Sequence, residues 1–124
     1  MALYLSRLEL QARLHIGKEA EQWIGYTNED DYTVIKWIYL AQEDRHQYSV
    51  NYVESFDEGD EHWQQVPEFS LLDPDAEESA VFDSVEEAVN FAVHTYGASP
   101  DRFIPGGMLA AEYATYWQQK SPSV

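Results

Sequence analysis

The chain of 124 residues sets seven Lys or Arg against twenty-three Asp or Glu, a formal net charge of -16, with 44% hydrophobic residues and no cysteine. Disulfide frameworks and thiolate chemistry are excluded, as is direct recognition of a nucleic-acid backbone, which needs clustered Lys and Arg. Four Trp, nine Tyr and five Phe supply the buriable area that disordered acidic chains lack, so a single folded domain over residues 1–120 with a loose tail at 121–124 is expected.

Arg7 and Glu9 interrupt the N-terminal apolar run before it reaches signal-peptide length, and no later stretch is long enough to span a membrane. A cytoplasmic protein without membrane contact is the expectation. Residues 8–16 alternate strictly, with Leu8, Leu10, Ala12, Leu14 and Ile16 on one side and Glu9, Gln11, Arg13 and His15 on the other. That period of two predicts a strand, although the residue types favour a helix. Residues 18–23 read as a helical turn, and 26–31 as a loop because Asn and Asp side chains compete for their own backbone.

Three β-rich runs follow at 32–41, 48–56 and 66–72, spaced as a meander. The first is apolar on both sides, Val34, Ile38 and Leu40 against Ile35, Trp37 and Tyr39, which calls for cover on both faces or one face reserved for a partner. The second puts Tyr48, Val50, Tyr52 and Phe56 on one side and Ser49, Asn51 and Ser55 on the other, the pattern of a half-exposed strand. Pro67 lacks an amide donor, which places the third run at an edge or a bulge.

Residues 73–79 read as a loop. Ser84 then opens a helix as its N-cap, with Glu87 at the capping-box position and Val85, Ala88, Val89, Ala92, Val93 and Tyr96 on one stripe, closed by Gly97. Pro105, Gly106 and Gly107 turn the chain into a second amphipathic helix carrying Leu109, Tyr113, Tyr116 and Trp117. Strands followed by helices predict an α+β fold: a small antiparallel sheet of three to four strands, meander-like, with two C-terminal helices packed on one face.

No Lys or Arg lies between Arg45 and Arg102, where fourteen acids fall. Asp57, Glu58, Asp60 and Glu61 followed by His62 concentrate hard donors, but the same composition is that of a polar turn, and no metal is assigned. Residues 73–78 begin like an EF-hand loop, yet Glu78 stands where the Gly is required and Ser84 where the closing Glu is required. His15, His46, His62 and His94 are scattered, with no HExxH pair; there is no Gly-x-Ser-x-Gly, and Gly106-Gly107 lacks the Lys and spacing of a P-loop. No catalytic residue and no cofactor is assigned.

Acids in this number, combined with aromatics, suit a basic protein surface, although a merely solvated acidic exterior has the same composition. The expectation is a small non-enzymatic binding domain, of the antagonist or immunity type, engaging a basic protein through Glu54, Asp57, Glu58, Asp60, Glu61, Trp63, Asp73, Asp75, Glu77 and Glu78. The alternatives are a carboxylate- or metal-dependent enzyme using residues 57–62 or 73–78, and an accessory or regulatory domain that forms a homodimer through residues 32–41.

Overall fold

The computed structural model of the chain describes residues 4–60, 62–76 and 78–120. Its first element is a helix, α1 (Arg7–His15), where alternation alone predicts a strand. Ser6 Oγ accepts from the Glu9 N–H at 3.1 Å and Glu9 Oε1 accepts from the Ser6 N–H at 2.8 Å, so two orphan donors at the helix start are satisfied reciprocally. Leu10 and Leu14, one helical turn apart, are buried, while Leu8 and Ile16 are 78% and 66% exposed. The false alternation comes from these two apolar residues left in water.

Five antiparallel strands follow the spatial order β4-β3-β2-β1-β5: β1 (Ala20–Asn28), β2 (Thr33–Asp44), β3 (Gln47–Phe56), β4 (Glu78–Phe82) and the two-residue β5 (Ile104–Pro105). β1 occupies the stretch that reads as a helical turn and a loop. It is bulged: Trp23 opposes Trp37 and Gly25 opposes Lys36, so Ile24 is the extra residue, and Tyr26 returns to the face that Trp23 occupies. Residues 66–72 do not make a strand. Val66–Glu68 forms a 3-10 turn with Pro67 in it, Val66 and Phe69 are both buried, and the run meets the sheet only at an isolated bridge from Leu71 to Ser55. The place beside β3 belongs to β4, which begins inside the segment expected to be a loop.

Helix α2 (Val85–Tyr96) forms as its caps dictate: Ser84 Oγ accepts from the Glu87 N–H, and Gly97 closes the helix in the left-handed region at φ 73°. Helix α3 (Leu109–Lys120) ends the described chain. α1 and α2 pack against one face of the sheet, where Leu10, Leu14, Ala88 and Ala92 meet Ile38, Leu40 and Val50. α3 and the 3-10 turn pack against the other, where Leu109, Tyr113, Val66 and Phe69 meet Ile35 and Trp37. The two C-terminal helices therefore lie on opposite faces, not on one, because β2 is apolar on both sides and needs cover on both. β2 thus has cover for both of its apolar faces within the chain. The side of β3 expected to be exposed is also largely covered: Ser49 and Ser55 are buried and Asn51 is half-buried.

The α3 layer holds every tryptophan. Trp37 is buried in it, Trp23 and Trp117 pack against it, and Trp63 meets Phe69 edge-on with ring centroids 4.9 Å apart. Among the described residues no helix is long and apolar enough to cross a membrane.

The assignment of α1 as a helix is testable by three substitutions read by urea denaturation. Ser6→Ala is expected to cost about 1 kcal/mol through the lost cap, and Leu10→Ala about 2–5 kcal/mol. Leu8→Ala, which a strand with Leu8 and Leu10 on one face would make equally damaging, is expected to stay within about 0.5 kcal/mol.

Candidate functional site

The cluster beneath α3 and the 3-10 turn ends at Tyr39 and Val53, leaving the β3–β4 half of that face without a helix over it. There the sheet presents polar side chains. Asn51 of β3 donates from Nδ2 to the Tyr39 carbonyl at 3.3 Å and to Ser49 Oγ at 2.9 Å, and accepts at Oδ1 from the Ser79 hydroxyl of β4 at 2.8 Å. The chain from Leu71 to Ala76 forms the remaining wall, anchored by the Leu72 N–H donating to the Glu54 carbonyl. These segments enclose a groove of about 440 Å³ bordered by Glu43, Glu54, Asp73 and Glu78; Glu54 and Glu78, in line with Tyr52, send their carboxylates to the opposite side of the sheet, toward α2. No Lys, Arg or His is among its described lining residues.

On that α2 side the carboxylates of Glu54 and Glu78 are oriented by tyrosines. The Tyr52 hydroxyl donates to Glu54 Oε2 at 2.8 Å and the Tyr96 hydroxyl to Glu78 Oε2 at 2.7 Å. The two rings stack in parallel, centroids 4.5 Å apart, joining β3 to the end of α2. Burial first, and then the adjacent carboxylates, holds the Tyr52 hydroxyl well above its usual range and pushes Tyr96 up to about 12. Asp73 Oδ1 accepts from the Asp75 N–H at 3.1 Å, which folds the rim back on itself and leaves Asp75 exposed beside it.

The rest of the acidic set is placed elsewhere. Asp57 follows the end of β3 and accepts from two tyrosines of α3, Tyr113 at 2.5 Å and Tyr116 at 2.7 Å, both of them buried. Burial and then this carboxylate raise both tyrosine hydroxyls far above their ordinary value. Glu58 accepts from the Ser70 N–H at 2.6 Å, and Asp60 Oδ1 accepts from the N–H groups of His62 and Trp63, which hold its carboxyl below the usual range. Between them a Cβ on Gly59 would stand 2.4 Å from the Trp63 carbonyl oxygen and 2.6 Å from the Tyr113 hydroxyl, so the loop closes only around glycine. Asp57, Glu58, Asp60 and Trp63 thus build the latch that seats α3; of the expected set Glu54, Asp73 and Glu78 border the groove, Glu54 and Glu78 with their carboxylates on the α2 side, and Asp75 lies at its edge. Glu61 and Glu77 lie outside the described residues.

Sequence reasoning missed Glu43, Tyr39, Asn51 and Ser79. Glu43 precedes the base-free segment, and the polar side of β3 was the one available signal for the others. It also missed Glu21, which β1 carries into the interior at 5% exposure. Glu21 Oε1 accepts from the N–H groups of Gly107 and Leu109 at 3.1 and 3.2 Å and so caps α3 from another element; burial nevertheless raises its carboxyl above the ordinary value. The neighbouring Gln22 exchanges two hydrogen bonds with the Ser99 backbone, at 2.8 and 2.7 Å. Among the described residues no three His, Asp or Glu side chains converge to hold a metal ion. Neither the protein-family models nor the curated proteins nor the solved structures contain a match to the chain.

Asp57→Ala strands two buried hydroxyls without their acceptor and is expected to cost about 2–4 kcal/mol in urea denaturation, with Asp57→Asn costing less because one carbonyl oxygen remains. Glu21 generates a pH dependence of definite sign. Since its carboxyl is raised in the fold, its contribution to stability is complete below the unfolded value of 4.5 and is lost as pH rises through the folded value. Glu21→Gln should remove that slope while keeping an acceptor for the start of α3, so the difference between the urea midpoints of the two proteins should grow as pH rises through that window.

Proposed function

We propose that the protein is a non-enzymatic binding domain that takes a basic protein surface onto the acidic groove, in the manner of an antagonist or immunity protein. The observation that supports this reading is a groove bordered by Glu43 and Asp73, with Glu54 and Glu78 on the strands that floor it and their carboxylates on the far side of the sheet, and with no cation among the described lining residues. A concave surface of one charge sign focuses the field and accelerates encounter with a partner of the opposite sign. The hydroxyls of Tyr52 and Tyr96 fix the orientation of two anionic oxygens on the strands that floor the groove. Self-association is the weaker reading, because two copies at -16 each repel. The cytoplasm is the proposed location, on sequence grounds.

The test separates the groove from bulk charge. Glu43→Lys with Asp73→Lys reverses two groove charges, and Glu29→Lys with Asp30→Lys makes the same change in net charge at exposed positions near the β1–β2 turn. Binding of a lysine-rich protein probe, measured as association rate at low and at physiological salt, should be weakened about tenfold or more by the groove pair and by less than about threefold by the turn pair. Equal losses from both pairs, or an association rate indifferent to salt, would remove the groove from consideration.

A further inference from the structure

We infer that the partner enters as an extended basic segment that adds to the sheet along the free edge of β4, with Lys or Arg at its ends and an apolar residue between them. This deepens the acidic-groove reading and rests on it. In the order β4-β3-β2-β1-β5, β4 pairs with β3 alone, so among the described residues its outward backbone groups have no strand opposite them. Edge strands in folded proteins are ordinarily guarded by Lys, Pro, a bulge or a covering element. β4 carries no Lys and no Pro, its register against β3 runs unbroken from Glu78 to Phe82, and Val81 at its exposed side is 51% open to solvent.

The chemistry of the occupant follows from what borders this edge. Glu78 begins β4 and Asp83 follows it, one carboxylate near each end, while Val81 lies between them. Ser79 and Val81 oppose Asn51 and Ser49 on the face that carries the groove. An added strand would lie about 4.8 Å beyond β4 and send its side chains alternately onto the groove face, beside Ser79 and Val81, and onto the α2 face, where Glu78 lies. A second copy of the chain fits poorly. Antiparallel pairing of two β4 strands about Ala80 sets Glu78 of each copy against Phe82 of the other, next to Asp83, carboxylate towards carboxylate, on top of the repulsion between two acidic proteins. Charge complementarity selects a basic strand.

The probes are a synthetic peptide of alternating Thr and Val flanked by Lys, and the same peptide with alternate backbone amides N-methylated, which keeps the charges and removes the donors. With the full chain, the unmodified peptide is expected to slow amide hydrogen exchange in β4 by about tenfold or more at saturation, and the N-methylated peptide to bind about tenfold more weakly. Equal binding of the two peptides, with salt dependence intact and no added protection in β4, would overturn strand addition while leaving the acidic groove as the binding surface. If neither peptide binds and the groove charge reversal leaves the lysine-rich protein probe unaffected, both readings fall. Protection of β4 that rises with protein concentration in the absence of peptide would make a second copy the occupant and overturn the inference.

Discussion

Val34, Ile38 and Leu40 leave β2 on one side and Ile35 and Trp37 on the other, and all five are buried, so the centre of the sheet tolerates water on neither face. Each fully buried side chain of this kind is worth about 1.5–3 kcal/mol relative to exposure, and stripping either layer would forfeit several at once. Two helical layers are therefore obligatory. They are unequal: α1 and α2 together roof one face, whereas the other has α3 and a single 3-10 turn. A helix is about 10 Å across and strands lie about 4.8 Å apart, so one helix cannot roof five strands. The groove is the geometric remainder of that mismatch, and the sheet meets it by presenting Asn51 and Ser79 where apolar residues would otherwise need cover.

Scarcity of cations shapes how the acids are used. Glu9, Asp60 and Asp73 accept from backbone N–H groups of their own turns, Glu58 from the Ser70 N–H across the loop, Glu21 from the start of α3, and Glu54, Asp57 and Glu78 from tyrosine hydroxyls. Hydrogen bonds to an ionised acceptor are stronger than neutral ones, so each organises local structure effectively. A neutral donor, unlike a Lys or Arg, leaves the carboxylate's charge uncancelled. The same residues can thus pin loops and still contribute to a strongly negative field.

What the sequence discloses divides along the range of the interactions involved. α2 is legible because its caps and its stripe lie within its own residues, and β2 and β3 because their patterns are long. α1 is misread because Leu8 and Ile16 lie exposed and complete an alternation, although Ser6 and Glu9 already held the capping-box signature. β1 is hidden because its inward residues include Glu21 and Gln22, polar side chains whose partners lie more than seventy residues away. Residues 66–72 have strand composition, but Pro67 and the burial of Val66 and Phe69 three apart make a turn. Of the groove, the sequence supplied Glu54, Asp73, Asp75 and Glu78 as candidates; Glu43 and Tyr39 reach it only through the pairing of β2 with β3, which no local signal encodes.

The tryptophans carry a further consequence. All four belong to the α3 layer, two of them near tyrosine rings, Trp23 at 5.1 Å from Tyr116 and Trp37 at 5.8 Å from Tyr39. The layer of α1 and α2 contains no indole. Intrinsic fluorescence is thus a one-sided reporter: emission follows the environment above one surface of the sheet, and a helix pair peeling from the opposite surface would register in circular dichroism while the indole signal stood still.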